Sequence, residues 1–137
     1  MLTVVSGIKY LQSCGAKITS PRIAVLKLLE NRRDHPSAEQ IFVELKPRYP
    51  TLSIATVYST VQLLAKGSML RILSIDEKKV YYDPEMNAHG HFLCKSCKKL
   101  FDVRTACDVM SSLIPSECIS SVEDAEVFYY GRCSKCA

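Results

Sequence analysis

Hydrophobic positions along the chain change period near residue 68, from a helical spacing to a strand-like one. Four helices are predicted before that point. Residues 2–13 carry a weak stripe of Val5, Ile8 and Leu11–Gln12. A second helix is predicted to begin at Ser20-Pro21, where Ser caps free N–H groups and Pro suits the first helical position. Ile23, Leu26, Leu28 and Leu29 supply its apolar face. Ser37-Ala-Glu-Gln40 fits a capping box that opens a third helix. Ile41, Phe42 and Leu45 follow, and Pro47 and Pro50 close it.

The fourth helix runs from Ser53 as its cap to Gly67 as its stop. At ~100° per residue, Ile54, Val57, Val61, Leu64 and Ala65 share one face. Ala55, Thr56, Ser59 and Gln62 share the other, which is small and polar and carries no charge before Lys66. A solvated helix face usually carries Glu and Lys. Small hydroxyl and amide groups instead suit deep entry into a DNA major groove. A plain amphipathic core helix explains the same pattern.

Residues 69–75 and 80–82 alternate as two short strands around a charged tip, Asp76-Glu-Lys-Lys79. Helices followed by a hairpin with a basic tip predict a winged helix-turn-helix. Lys78 and Lys79 either reach phosphates there or only solubilise the turn. Beyond residue 85, strands are predicted at His89–Cys94, Lys99–Val103 and Ser121–Tyr130, with a helix at Thr105–Leu113. A sheet this small is marginal alone and needs a staple, a partner, or both.

Charge sharpens the division. Residues 1–84 hold twelve Lys/Arg against seven Asp/Glu, and residues 85–137 hold six against seven. Only the first half is therefore expected to meet a polyanion. The 137 residues suit one larger domain or two small ones. No apolar run reaches the roughly 20 residues of a membrane helix, and no signal peptide is read at the start. A cytoplasmic protein without membrane contact is expected.

Seven cysteines, an odd number, argue against a disulfide framework. Four form Cys94-Lys-Ser-Cys97 and Cys133-Ser-Lys-Cys136. Two such knuckles complete a tetrahedral thiolate site for Zn²⁺, and four protein ligands leave no open position, so the role is structural. The 35 intervening residues lengthen the loop at a cost of under about 1 kcal/mol. Redox-active CxxC pairs lack a thioredoxin-like context here. Cys14, Cys107 and Cys118 read as plain buried thiols.

His89 and His91, two apart on a strand, point to one face, so both imidazoles can reach one ion, with Gly90 leaving room beside them; ordinary surface or core histidines explain the same pair. His35, Asp83 and Asp102 are further ligand types, but residue chemistry alone does not group them with that pair. Together the five would favour Fe²⁺, Mn²⁺ or Zn²⁺.

The helix Ser53-Ile-Ala-Thr-Val-Tyr-Ser-Thr, the loop His35-Pro-Ser-Ala-Glu, the segment His89–Cys97, the tail Tyr130–Cys136 and the approach Lys17-Ile-Thr-Ser-Pro-Arg22 resemble the ferric uptake regulator family. The resemblance covers essentially the whole chain. It implies an α+β chain with an N-terminal winged helix-turn-helix over residues 1–83. A small C-terminal α/β dimerisation domain over residues 84–137, stapled by the four-cysteine zinc site, would follow. It implies a homodimeric repressor that holds operator DNA when a regulatory Fe²⁺ or Mn²⁺ sits at His35, Asp83, His89, His91 and Asp102. It brings Tyr58 to the DNA beside Ala55, Thr56, Ser59 and Gln62, and adds Lys17 and Arg22. Asp rather than Glu at 102 resembles the family's peroxide-sensing branch, in which hydrogen peroxide oxidises a ligating histidine, here His35 or His91. Ser59 departs from the larger polar or basic residue of many relatives. No histidine occurs in residues 92–137, so a further histidine-containing site of some relatives is incomplete. An iron- or zinc-responsive regulator of the same fold is the nearest alternative. A non-haem iron enzyme built on two His and one carboxylate is the alternative from another class.

Overall fold

The computed structural model describes residues 1–30, 32–104, 117 and 119–137. These residues divide into two compact units, Met1–Met86 and Asn87–Ala137. The helix expected at Thr105–Leu113 lies outside the described residues, as do Cys107 and Cys118.

The first unit holds α1 (Val4–Ser13), α2 (Ser20–Glu30), α3 (Ala38–Leu45) and α4 (Ile54–Lys66), then β1 (Arg71–Asp76) and β2 (Lys79–Asp83). Its core gathers Leu2, Leu11, Val25, Leu26, Leu29, Ile41, Val57, Val61, Leu64, Leu70 and Tyr82, all essentially sealed from solvent. Helical side chains three and four apart stack on one face, which is why each helix offers two or three of these positions. In α1 the inward positions are Gly7 and Leu11, and Val5 is exposed. The stripe read through Val5 is thus rotated by one residue.

Capping follows the sequence closely at α3 and less so at α2. Ser37 Oγ accepts from the Gln40 amide at 3.2 Å and Gln40 Oε1 accepts from the Ser37 amide at 2.8 Å, a reciprocal box. At α2 the expected cap is displaced. Ser20 is already helical, and Thr19 Oγ1 receives the Arg22 amide at 3.4 Å. Ser53 caps α4 through the Thr56 amide at 3.1 Å.

Two α4 positions differ from the helical wheel. Ile54 is 37% exposed, because the first turn projects beyond the core, whereas Thr60 is fully buried. Thr60 is accommodated because its hydroxyl donates to the Thr56 carbonyl at 2.7 Å, so no polar group is stranded. Gly67 ends the helix as expected, with a φ of −84°, and Ser68 takes the positive φ of 53°. Glycine is needed there for space, since a Cβ would lie 2.4 Å from the Tyr10 ring.

β1 and β2 pair antiparallel, with Arg71 opposite Asp83 and a bulge between Leu73 and Asp76. The turn is tighter than expected. Asp76 pairs with Lys79, which leaves Glu77 and Lys78 at the tip and draws Lys79 into β2. Ser37 bridges Tyr81, and the Tyr82 amide donates to the Pro36 carbonyl at 3.0 Å. The segment leading into α3 is thereby tied to the hairpin.

The second unit is a three-stranded sheet ordered β4-β3-β5, with β3 Gly90–Cys94, β4 Leu100–Val103 and β5 Phe128–Gly131. β3 runs antiparallel to β4 and parallel to β5. The strand expected from residue 121 is strand only from Phe128. Pairing with the short β3 limits it, and residues 121–126 are exposed.

Candidate metal centres and nucleic-acid face

The four cysteines converge within the second unit. Cys94 ends β3, and Cys97 follows a tight turn closed by the Lys98 amide donating to the Cys94 carbonyl at 2.9 Å. Lys98 itself adopts a left-handed φ of 62°. Cys133 and Cys136 form the matching turn after β5, with the Cys136 amide donating to the Cys133 carbonyl at 2.9 Å. β3 pairs directly with β5, and the Lys95 amide donates to the Gly131 carbonyl at 2.7 Å, so one knuckle stands beside the other. All four sulfurs lie within 4.8 Å of one another, and Cys97 Sγ is 3.9 Å from Cys133 Sγ. A tetrahedron with Zn–S of ~2.3 Å has S···S edges of about 3.8 Å. The thiols are free rather than disulfide-bonded.

Their electrostatics also suit a dication. The backbone N–H groups of Cys97 and Cys133 face the Cys94 sulfur and lower its pKa to about 6. Hydrogen bonds from the Cys136 thiol to the Cys133 and Cys97 sulfurs hold its proton and push it up to about 12. A bound Zn²⁺ would displace that proton and hold all four as thiolates.

Cys14 departs from the expected buried thiol. It is exposed, at the C-terminal end of α1, since the chain turns away from the core there.

Two further clusters of ligand-type side chains occur, one in each unit. In the first unit, His35 Nε2 stands 3.3 Å from Asp83 Oδ2, and both residues are only 3% exposed. Asp83 ends β2, and its Oδ1 accepts from the Glu85 amide at 2.9 Å. That bond fixes which oxygen faces the imidazole. His35 sits between α2 and α3 with a left-handed φ of 52°. Histidine tolerates this region better than bulky residues do, but it is sparsely populated.

In the second unit, the ligand atoms of His89, His91 and Asp102 lie within 4.8 Å of one another. His91 on β3 is registered opposite Asp102 on β4. The His89 and His91 rings have centroids 4.5 Å apart. Their Nε2 atoms lie 3.3 and 3.8 Å from the same Asp102 Oδ1. Asp102 Oδ2 faces Arg104 at 3.6 Å. His89 Nδ1 donates to the Asn87 carbonyl at 2.6 Å. A carbonyl only accepts, so a neutral His89 carries its proton on Nδ1 and its lone pair on Nε2. That nitrogen and Asp102 Oδ1 are two donor atoms 3.3 Å apart, which suits a shared cation. The donor chemistry, imidazole with carboxylate, fits Fe²⁺, Mn²⁺ or Zn²⁺. Asn87 has no sequence signal beyond standing two residues before His89. A Cβ at Gly90 would come within 3.3 to 3.4 Å of the Val127 and Val103 carbonyls, so glycine also admits the neighbouring backbone there.

The polar face of α4 presents Ala55 and Gln62 exposed, with Thr56 and Ser59 half-buried. Arg22 reaches this face from α2, donating to Ser59 Oγ at 3.2 Å and to the Lys17 carbonyl at 3.2 Å. Tyr58 is 39% exposed, and its hydroxyl donates to Glu39 on α3. That bond lowers the Glu39 pKa and raises that of Tyr58. Lys17, Lys78 and Lys79 are exposed. Sequence reasoning missed the Glu39–Tyr58 pairing, because 19 residues separate the two and no short-range period connects them.

Comparison with known proteins now decides the family. The sequence profile of the ferric uptake regulator family matches residues 13–123. The chain belongs to the ferric uptake regulator family. It is 26% identical over 127 residues to the peroxide-responsive repressor PerR of Staphylococcus epidermidis, covering 92% of this chain and 85% of that protein. The solved ferric uptake regulator of Francisella tularensis with iron is 27% identical, with a TM-score of 0.77 over 89% of this chain and 95% of the other. The Helicobacter pylori ferric uptake regulator, at 18% identity, shares the fold, with a TM-score of 0.82 over 98% of this chain and 93% of the other. Family members are metal-responsive transcriptional regulators rather than enzymes, which sets the non-haem iron enzyme aside. No helix among the described residues is long and apolar enough to cross a membrane.

Proposed function

We propose that this chain is a cytoplasmic, metal-dependent repressor that binds operator DNA as a homodimer. Residues 1–83 act as a winged-helix DNA-binding domain, with α4 entering the major groove and the β1–β2 hairpin as the wing. Ala55, Thr56, Tyr58, Ser59 and Gln62 meet the DNA from α4, with Arg22, Lys17, Lys78 and Lys79 around them. Residues 84–137 form the dimerisation domain, in which Cys94, Cys97, Cys133 and Cys136 hold a structural zinc.

The observation that carries the reading is the pair of incomplete ligand sets, buried His35 with Asp83, and buried His89 and His91 with half-buried Asp102. Two or three ligands hold a divalent ion weakly. Five from both sets would hold it well, and only when the two domains are correctly placed. An ion that binds the closed arrangement better shifts the population toward it, and so toward the spacing that two DNA half-sites demand. Fe²⁺ or Mn²⁺ is the expected occupant, with Zn²⁺ also chemically suited.

Peroxide is the proposed signal. Asp102 and the likeness to the Staphylococcus epidermidis peroxide-responsive repressor support this. Fe²⁺ held there would supply the electron that reduces hydrogen peroxide beside an imidazole. His35 and His91 are the rings proposed to be oxidised. An oxidised ring no longer offers the lone pair that the set needs, and the closed form loses its preferential stabilisation.

The test is mass analysis of peptides after Fe²⁺-loaded protein meets micromolar hydrogen peroxide. Oxygen added to the peptide of His35 or His91 is expected. Unmodified histidines, with DNA binding still metal-dependent, would leave an iron- or zinc-responsive regulator on the same site.

A further inference from the structure

We infer that Arg32 is a positioning residue for His35. Its guanidinium acts as a clamp that sets the α2–α3 loop in the left-handed conformation the metal site requires. The inference rests on the proposed five-ligand site and adds a residue outside it.

Arg32 lies just after α2, with its amide donating to the Leu29 carbonyl at 3.1 Å. Its side chain forks across two carboxylates. Nε faces Asp34 Oδ1, and Nη2 donates to Asp34 Oδ2 at 3.0 Å. Nη1 and Nη2 donate to Glu44 Oε2 and Oε1 at 2.5 and 2.7 Å. Asp34 immediately precedes His35, and Glu44 lies in the last turn of α3. One planar group thus fixes the residue before His35 against the helix that follows it.

His35 needs that fixing. Its φ of 52° is costly for a residue bearing a Cβ, and such conformations persist only where the surroundings over-determine them. On the far side of His35, the Ser37 cap and the bond from the Tyr82 amide to Pro36 hold the loop. Arg32 supplies the restraint on the near side. Bidentate guanidinium–carboxylate pairs are directional in a way that a lysine ammonium is not. The Arg32 side chain is 21% exposed, so the network is partly shielded, although Asp34 and Glu44 are open to water. Its contribution to global stability is correspondingly small. Its effect falls on where the imidazole stands.

The experiment is a double-mutant cycle on Mn²⁺ affinity in the full-length, zinc-retaining protein, with Arg32→Gln, Arg32→Lys and His35→Ala. Arg32→Gln is expected to weaken Mn²⁺ binding about tenfold, the range for residues that orient ligands. Zinc content and helical circular dichroism should not change. Arg32→Lys keeps the charge, loses the fork, and should resemble Arg32→Gln. In the His35→Ala background, Arg32→Gln should add nothing. Without added Mn²⁺, the Tyr82 amide should exchange faster in Arg32→Gln, because its Pro36 acceptor is less restrained. Wild-type affinity in Arg32→Gln, full rescue by Arg32→Lys, or an equal loss in the His35→Ala background would overturn the inference. Affinity untouched by His35→Ala would instead remove the five-ligand site, and this inference with it.

Discussion

The four-cysteine set and the histidine–aspartate set differ in how their ligands are brought together. All four sulfurs come from one unit, on two local turns joined by the β3–β5 pairing. Each turn brings two ligands into position within four residues. The histidine and aspartate residues proposed as ligands span residues 35 to 102 and divide between two units, each holding imidazole beside carboxylate. A site assembled within one sheet is present whenever that sheet is folded, so its ion serves stability. In the proposed account, a site divided between domains makes ion affinity depend on how the domains stand. That dependence is what a sensor requires.

The sharpest way to break this contrast is to remove one sulfur. Cys97→Ser should release the zinc and unfold the second unit, since structural zinc carries on the order of 10–16 kcal/mol of apparent binding energy in small domains. Zinc content and amide spectra report it, and the α1–α4 helical signal should persist. Stoichiometric zinc in that variant would contradict the staple.

The next largest effect belongs to the first unit alone. Leu64→Ala removes a fully buried side chain from α4 and should cost roughly 2–5 kcal/mol in denaturant unfolding. Zinc content should be unchanged, because that core does not include the cysteines. Loss of zinc in this variant would mean that the two units do not hold their structures independently.

His91→Ala addresses the divided site. Mn²⁺ affinity should fall more than about 100-fold, beyond what ligand-orienting residues cost, while one zinc per chain remains. A matching loss of zinc would merge the two sites that the comparison separates. The smallest expected effect is at the hairpin tip. Lys78→Ala should weaken DNA binding evenly across sequences and reduce the salt slope by about 1. An unchanged slope would place Lys78 away from the phosphates.

The two sites were also unequally legible. CxxC spacing on a knuckle needs no tertiary information, and the structure adds only which strands carry the knuckles. His89 and His91 were legible as a pair for the same local reason. Grouping His35, Asp83 and Asp102 with them came from resemblance, because no short-range period connects residues so far apart. Within the helices, the stripes and the caps of α2, α3 and α4 were read to within a residue or so, while the Thr3–Ser6 box of α1 was not read. The exceptions along α4 have physical causes: the Thr60 hydroxyl satisfied within its own helix and the first turn of α4 projecting from the core. The Arg32 fork was invisible in the sequence, since three charged residues near a loop look like any solvated surface.

The central claim is that the exchangeable ion, and not the zinc, governs DNA binding. The direct measurement is the affinity of the full-length protein for a duplex selected from a random library with Mn²⁺ present, followed through mild chelation and Mn²⁺ restoration. The account predicts that binding disappears on chelation while one zinc per chain is retained, and returns with Mn²⁺. Binding that survives chelation of the exchangeable ion, or is lost only when the zinc leaves, would contradict it.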